Sequence, residues 1–149
     1  MAIVRSAGTE IIRSIHLEDV DSTASTLIFG VQHHIYTVLS IIVCANAIQA
    51  AGNYVNINIL GYDSKAGTTA QTNKIVQQEM QLDKTFVFND KFSFNGHEPT
   101  DFTGPMDSIA KQDAIADQGS SVAQKLMVWT EHADDSFEVT CTYIDQNNS

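Results

Sequence analysis

Proline and cysteine are scarce in this chain of 149 residues, with two of each, eight glycines and a single tryptophan. So little proline and glycine excludes a low-complexity or disordered composition. Cys44 and Cys141 are too few to build a disulfide scaffold. None is required, because a chain of this length buries roughly 68–70% of its unfolded surface. Both cysteines read as reduced, small core residues on strands, although a bond between them stays open.

Basic residues are also few: 8 Lys and Arg against 18 Asp and Glu, for a net charge of −10. Nucleic-acid binding needs clustered cations that displace phosphate counterions, and the chain has no such cluster. Adsorption to an anionic membrane is disfavoured for the same reason. The most hydrophobic stretch, Val38–Val43, is far too short to span a bilayer. Met1–Thr9 lacks the apolar core of a secretion signal. The expectation is a soluble protein made in the cytoplasm without export. Its acidic surface repels like surfaces, or meets a basic partner or a divalent cation.

Catalytic signatures are missing as well. There is no Gly-x-Ser-x-Gly, and Gly61, Gly67 and Gly104 stand alone rather than forming a phosphate loop. Of the five histidines, His33 and His34 are adjacent, so on a strand they point to opposite faces and cannot share one metal. A metal site assembled from distant segments stays open; otherwise His16, His33, His34, His97 and His132 read as surface or strand-edge groups. The pairs Asp19/Asp21, Asp113/Asp117 and Asp134/Asp135 read as solvated turns. Asp19-x-Asp21 lacks the further ligands and the glycine of a calcium loop. Trp129 or Tyr62 could serve as a sugar-stacking platform, but Trp129 fits a core or interface aromatic better. No residue pattern implies a cofactor or an enzymatic step.

What the chain does contain is strand pattern. In Tyr54–Tyr62, Val55, Ile57 and Ile59 alternate with Asn56 and Asn58, giving one apolar and one polar side. The polar side is expected to face solvent or a partner. Ile35–Cys44 is almost continuously apolar and rich in β-branched residues, which fits a central strand covered on both faces. Glu10–His16, Ser25–Phe29 and Lys125–Glu131 read as strands, with an acidic turn over Leu17–Ser22. Phe137, Val139, Cys141 and Tyr143 alternate with Glu138, Thr140 and Thr142 in a second clean strand. Phe86, Phe88, Phe92 and Phe94 alternate on one face around Asn89-Asp90, an acceptable hairpin turn. Asn95–Gln124 shows no strand pattern, and Asp107–Asp117 has room for one or two helical turns. A structureless loop of that length is uncommon without a task.

These readings define an all-β protein: a single antiparallel β-sandwich, jelly-roll-like or immunoglobulin-like, of about eight strands with one long loop. Residues 1–9 form an N-terminal arm, residues 10–149 the domain, and residues 95–124 its loop.

The run Tyr36-Thr37-Val38-Leu39-Ser40-Ile41-Ile42-Val43-Cys44-Ala45-Asn46, followed by Asn53-Tyr54-Val55-Asn56-Ile57-Asn58-Ile59, resembles the small β-sandwich virion proteins of tailed bacteriophages. Phe137–Ile144 is similar to their closing strand. The likeness spans residues 35–144 as a pattern without an invariant chemical motif, and Asn95–Gln124 has no counterpart in it. It implies a structural virion protein on the capsid surface, first a head decoration (cement) protein and second a neck, tail or receptor-binding component. The implied partners are the major capsid protein and copies of the chain itself, a trimer being compatible with threefold shell sites. Candidate contacts are Ile3, Val4 and Arg5 of the arm and Phe102, Met106, Ile109 and Ile115 of the loop. Apolar residues in polar segments are suited to ordering against a partner.

Overall fold

The computed structural model describes residues 9–50, 53–62, 70–97, 107–117 and 122–147. These segments hold β1 Thr9–Val20, β2 Ser25–Phe29, β3 His34–Ala47, β4 Asn53–Tyr62, β5 Ala70–Met80, β6 Thr85–Phe88, β7 Phe92–Asn95, α1 Ile109–Asp117, β8 Lys125–Trp129 and β9 Ser136–Asn147. The larger sheet has the order β1-β9-β3-β6, with β7 also on β3, and the smaller sheet has the order β2-β8-β4-β5. All their pairings are antiparallel. Strands β1, β9, β3 and β6/β7 on one layer, facing β2, β8, β4 and β5 on the other, make the double-sheet jelly roll. An immunoglobulin order is thereby excluded.

The alternation read from sequence builds the core. Val38, Ile41 and Val43 of β3 and Val139 and Cys141 of β9 face inward from the larger sheet. Val55 and Ile57 of β4 and Leu126 and Val128 of β8 meet them from the smaller sheet. All nine are fully buried, each aliphatic side chain contributing about 1.5–3 kcal/mol of transfer free energy. The two strands at the heart of the sequence pattern, β3 and β4, therefore lie in opposite layers.

Four expectations change. The four phenylalanines do point inward, opposite Val43, Ile41, Val38 and Tyr36, but β6 and β7 form no hairpin. They run end to end along β3, and the chain between them faces the irregularity in β3 between Val38 and Ser40. β3 is central but covered on its inner face only: Ile42 is exposed and Cys44 is half-exposed on the outside. β1 does not stop at His16; it continues through Leu17 and Glu18, with a bulge before Val20 where Asp19 takes a φ of 54°. Finally, Asn56 and Asn58 do not face solvent; both are buried.

The long excursion after β7 starts and ends at one point. His97 and Ala123 form a bridge across its base. Gly30 and Gly96 cross there so closely that a Cβ on Gly30 would lie 1.9 Å from the Gly96 carbonyl oxygen. Within the excursion, Ser108 caps α1: its Oγ accepts from the Lys111 backbone N–H at 3.3 Å.

Candidate functional site

Two of the residues nominated from sequence, Ile109 and Ile115, fall within the described residues. Ile3, Val4, Arg5, Phe102 and Met106 lie outside the described residues. Ile109 opens α1 and is 76% exposed; Ile115 lies in the same helix. Trp129 ends β8 in a half-buried position opposite Asn56.

The structure instead presents the outer face of the larger sheet. Strand register sets its cross-strand rows. One row is Ile12, Ile144, Thr37 and Ser93; the next is Ser14, Thr142 and Ser40; a third is His16, Thr140, Ile42 and Val87. Hydroxyl contacts join neighbouring strands within the rows: Ser14 to Thr142 at 3.3 Å, and Thr37 to Ser93 at 2.9 Å. Between them stand exposed Ile12, Ile42 and Val87, the first 69% exposed. These three rows carry no carboxylate, lysine or arginine. The charged groups of the face sit at its ends, Glu10 at one and Glu18 with Glu138 at the other, and at the edge of the middle row, where Asp90 and Lys91 link β6 to β7.

At that second end, His16, Glu18 and Glu138 bring their ligand atoms within 4.8 Å of one another. His16 and Glu18 are two apart on β1, and Glu138 is two before Thr140, the cross-strand partner of His16, so all three share the outer face. The spacing His16-x-Glu18 carried that signal in the sequence. A turn beginning at Leu17 would break that spacing, but β1 continues as strand through Glu18.

Two buried polar networks lie elsewhere. Asp145 accepts from Arg13 Nε at 3.0 Å and pairs with His34 Nδ1. Beside it, burial and then the Asp145 charge push the Tyr36 hydroxyl up to about 12, and burial chiefly raises that of Tyr143. Asp135 is 4% exposed, so it is no solvated turn. Its carboxylate accepts from Asn53 Nδ2 at 2.6 Å, the Gln49 N–H at 2.9 Å and the His132 N–H at 3.1 Å, tying together the turns before β4 and β9. Asp21 serves its own turn, taking a bond from the Thr23 N–H at 2.7 Å, whereas Asp19 accepts from Ser136 Oγ at 2.7 Å at the start of β9. Cys44 and Cys141 are both free and point to opposite faces of the sheet, so they cannot pair. Burial pushes the Cys141 thiol up to about 12, whereas Cys44 is no core residue.

Two adjoining clefts flank the end of β5. One, of about 380 Å³, is lined by Ile48, Gln49, Ala50, Glu79, Met80, Gln81 and Leu82. Its neighbour, of about 390 Å³, shares Glu79, Met80 and Gln81 and reaches Phe86. Both are open, and neither holds a cluster of titratable groups. Among the described residues no helix is long and apolar enough to cross a membrane.

No protein-family model and no curated protein matches this chain. Similar solved structures exist at low identity. A pilus subunit from Bacillus endospore appendages, described as forming disulfide-linked pili, is 10% identical with a TM-score of 0.46, over 100% of this chain and 97% of that one. A chain of the infectious bursal disease virus Gx strain is 11% identical with a TM-score of 0.49, over 99% of this chain and 35% of its own. The chain of a subviral particle of the same virus is 9% identical with a TM-score of 0.40, over 96% and 34%. The present chain thus spans about a third of those viral chains. At these values the likeness is one of β architecture and carries nothing about activity.

Proposed function

We propose that this chain is a structural subunit of a virion that works by packing against further copies of itself. The observation that supports this is the outer face of the larger sheet, whose three middle rows hold no formal charge in a chain of net charge −10. Interface centres are depleted in charged residues, and a surface made only for water in so acidic a protein has no reason to be. Three rows across four strand positions cover roughly 20 by 20 Å, about half of the 800 Å² each partner contributes to a standard interface, so they form the centre of such a contact and the ends of the sheet its rim. Repulsion between acidic copies is low where a face carries no carboxylate, as in these rows. β1 adds a second feature: it has β9 as its one strand partner among the described residues, so a twelve-residue edge is open to strand addition. Jelly rolls also serve lectins and cupins, so the surface, not the fold, supports the reading.

Within that role, the finer reading is a decoration protein on the head of a tailed bacteriophage, seated across boundaries between major capsid subunits. A neck or tail component is the alternative. A modest contact repeated over a lattice gives high avidity, and whatever binds only the assembled shell stabilises it. The reading assigns no catalytic step and no cofactor.

Light scattering after size exclusion tests self-association. The wild type is expected to run as a closed oligomer, a trimer fitting a threefold site. The double variant Ile12→Glu/Ile42→Glu is expected to run as a folded monomer, because both residues are exposed and only the face is altered. A wild type that stays monomeric up to high micromolar concentration defeats the reading. Co-sedimentation with heads lacking the protein tests the decoration role separately.

A further inference from the structure

We propose that His16, Glu18 and Glu138 form a binding site for a divalent first-row transition-metal cation, with Zn²⁺ the best fit. The inference stands on this cluster alone and does not depend on the assembly role.

The cluster is arranged in the manner of a ligand set. His16 Nδ1 lies 2.8 Å from Thr140 Oγ1, which accepts when the ring takes its Nδ1–H tautomer. The imidazole then presents its Nε2 lone pair outward, toward Glu18 Oε1 at 3.9 Å. A ligating histidine usually donates its other ring N–H to such a partner, which fixes both tautomer and ring orientation. In a tetrahedral zinc site, bonds of 2.0–2.2 Å put ligand atoms about 3.4 Å apart. The three ligand atoms here already lie within 4.8 Å. Binding therefore requires the ligand atoms to draw together by about 1 Å, and His16 and Glu18 are both exposed side chains.

The backbone beneath the cluster is held on both strands. Glu138 sits between Phe137 and Val139, which are both fully buried, so its Cα cannot shift freely. Glu18 precedes Asp19, whose left-handed backbone makes the β1 bulge. The Asp19 carboxylate accepts from Ser136 Oγ at 2.7 Å, clamping that bulge to the start of β9. Two carboxylates balance the charge of a divalent cation, and the imidazole sets its type. Calcium takes six to eight oxygen ligands and magnesium retains its waters, whereas one nitrogen and two carboxylate oxygens suit zinc. The fourth position points away from the sheet, open to water or to a donor from another molecule.

Isothermal titration of the chelator-treated full chain with ZnCl₂ tests the site. One zinc ion per chain is expected to bind saturably, with CaCl₂ producing no comparable signal. His16→Ala and Glu138→Gln are each expected to weaken binding by about tenfold or more, and Thr140→Val, which leaves all three ligands in place, by about tenfold. Cys44→Ser, the cross-strand neighbour of Glu138, is expected to bind as the wild type does. Circular dichroism confirms that each variant is folded. Lack of saturable zinc binding, or unchanged affinity in His16→Ala and Glu138→Gln, overturns the proposal. Unchanged affinity in Thr140→Val overturns the positioning role of Thr140.

Discussion

At the scale of the residue, two glycines carry more than their sequence context suggests. Gly30 donates its N–H to the Gln124 carbonyl at 2.8 Å, and the Gln124 N–H donates to the Gly96 carbonyl at 2.9 Å. A Cβ on Gly96 would lie 2.0 Å from the Val31 carbonyl oxygen, and one on Gly30 would lie 2.6 Å from that of Gln124. Backbone atoms cannot rotate aside as side chains can. Gly30→Ala and Gly96→Ala are therefore expected to lose about 1–3 kcal/mol or more in urea unfolding. Gly61→Ala is the control: its Cβ meets the flexible Gln124 side chain at 2.9 Å, so its loss is expected to be smaller. Equal stability of all three variants would show that the crossing is not tight. Nothing near Gly30 or Gly96 in sequence marks this meeting, because the two are brought together only by the closed jelly roll.

At the scale of the element, β4 shows how far a pattern of two can be read. Its apolar positions face the core as the alternation requires, and that much follows from strand geometry alone. Its polar positions do not meet water. Asn58 is 1% exposed, and neither its Nδ2 nor its Oδ1 has a hydrogen-bond partner. A buried polar group left unpaired costs about 1–3 kcal/mol of desolvation. Asn58→Leu, of similar shape, is thus expected to raise stability by about 1 kcal/mol, seen as a rise in Tm of a few degrees. A fall of similar size would mean that the amide is satisfied in the folded protein. β1 teaches the reverse lesson. Its acidic Leu17–Val20 stretch resembles a turn, yet pairing with Val139 and Phe137 carries it on as strand. Cross-strand partners distant in sequence decided that, and with it the juxtaposition of His16, Glu18 and Glu138.

At the scale of the whole molecule, three inward-facing groups share one direction of shift. Tyr36 is raised from an ordinary 10.0 to about 12, Cys141 from 9.0 to about 12, and Tyr143 is raised as well, burial being the largest cause each time. A raised acid keeps its proton longer in the folded state than in the unfolded chain. Between those values the folded state binds more protons, so stability falls as pH rises. The contribution is fully present below pH 9.0 and is lost toward about 12. Unfolding midpoints in urea are expected to decline steadily over that alkaline window. In Tyr36→Phe, where one of the three groups is removed, the decline should be shallower. A flat profile across the window would mean that these groups are not buried as described.

Sequence alone determined the class: alternation in β4 and β9, the inward phenylalanines and the acidic balance require a β-sandwich with a polar surface. Such periodicities are local, because the side a residue faces depends on its strand neighbours. The jelly-roll order, the opposite layers of β3 and β4, the uncharged outer rows and the His16–Glu18–Glu138 cluster were decided only by tertiary structure. Each depends on which strand lies beside which and in what register. That choice is made by core packing summed over both sheets, and no single segment encodes it.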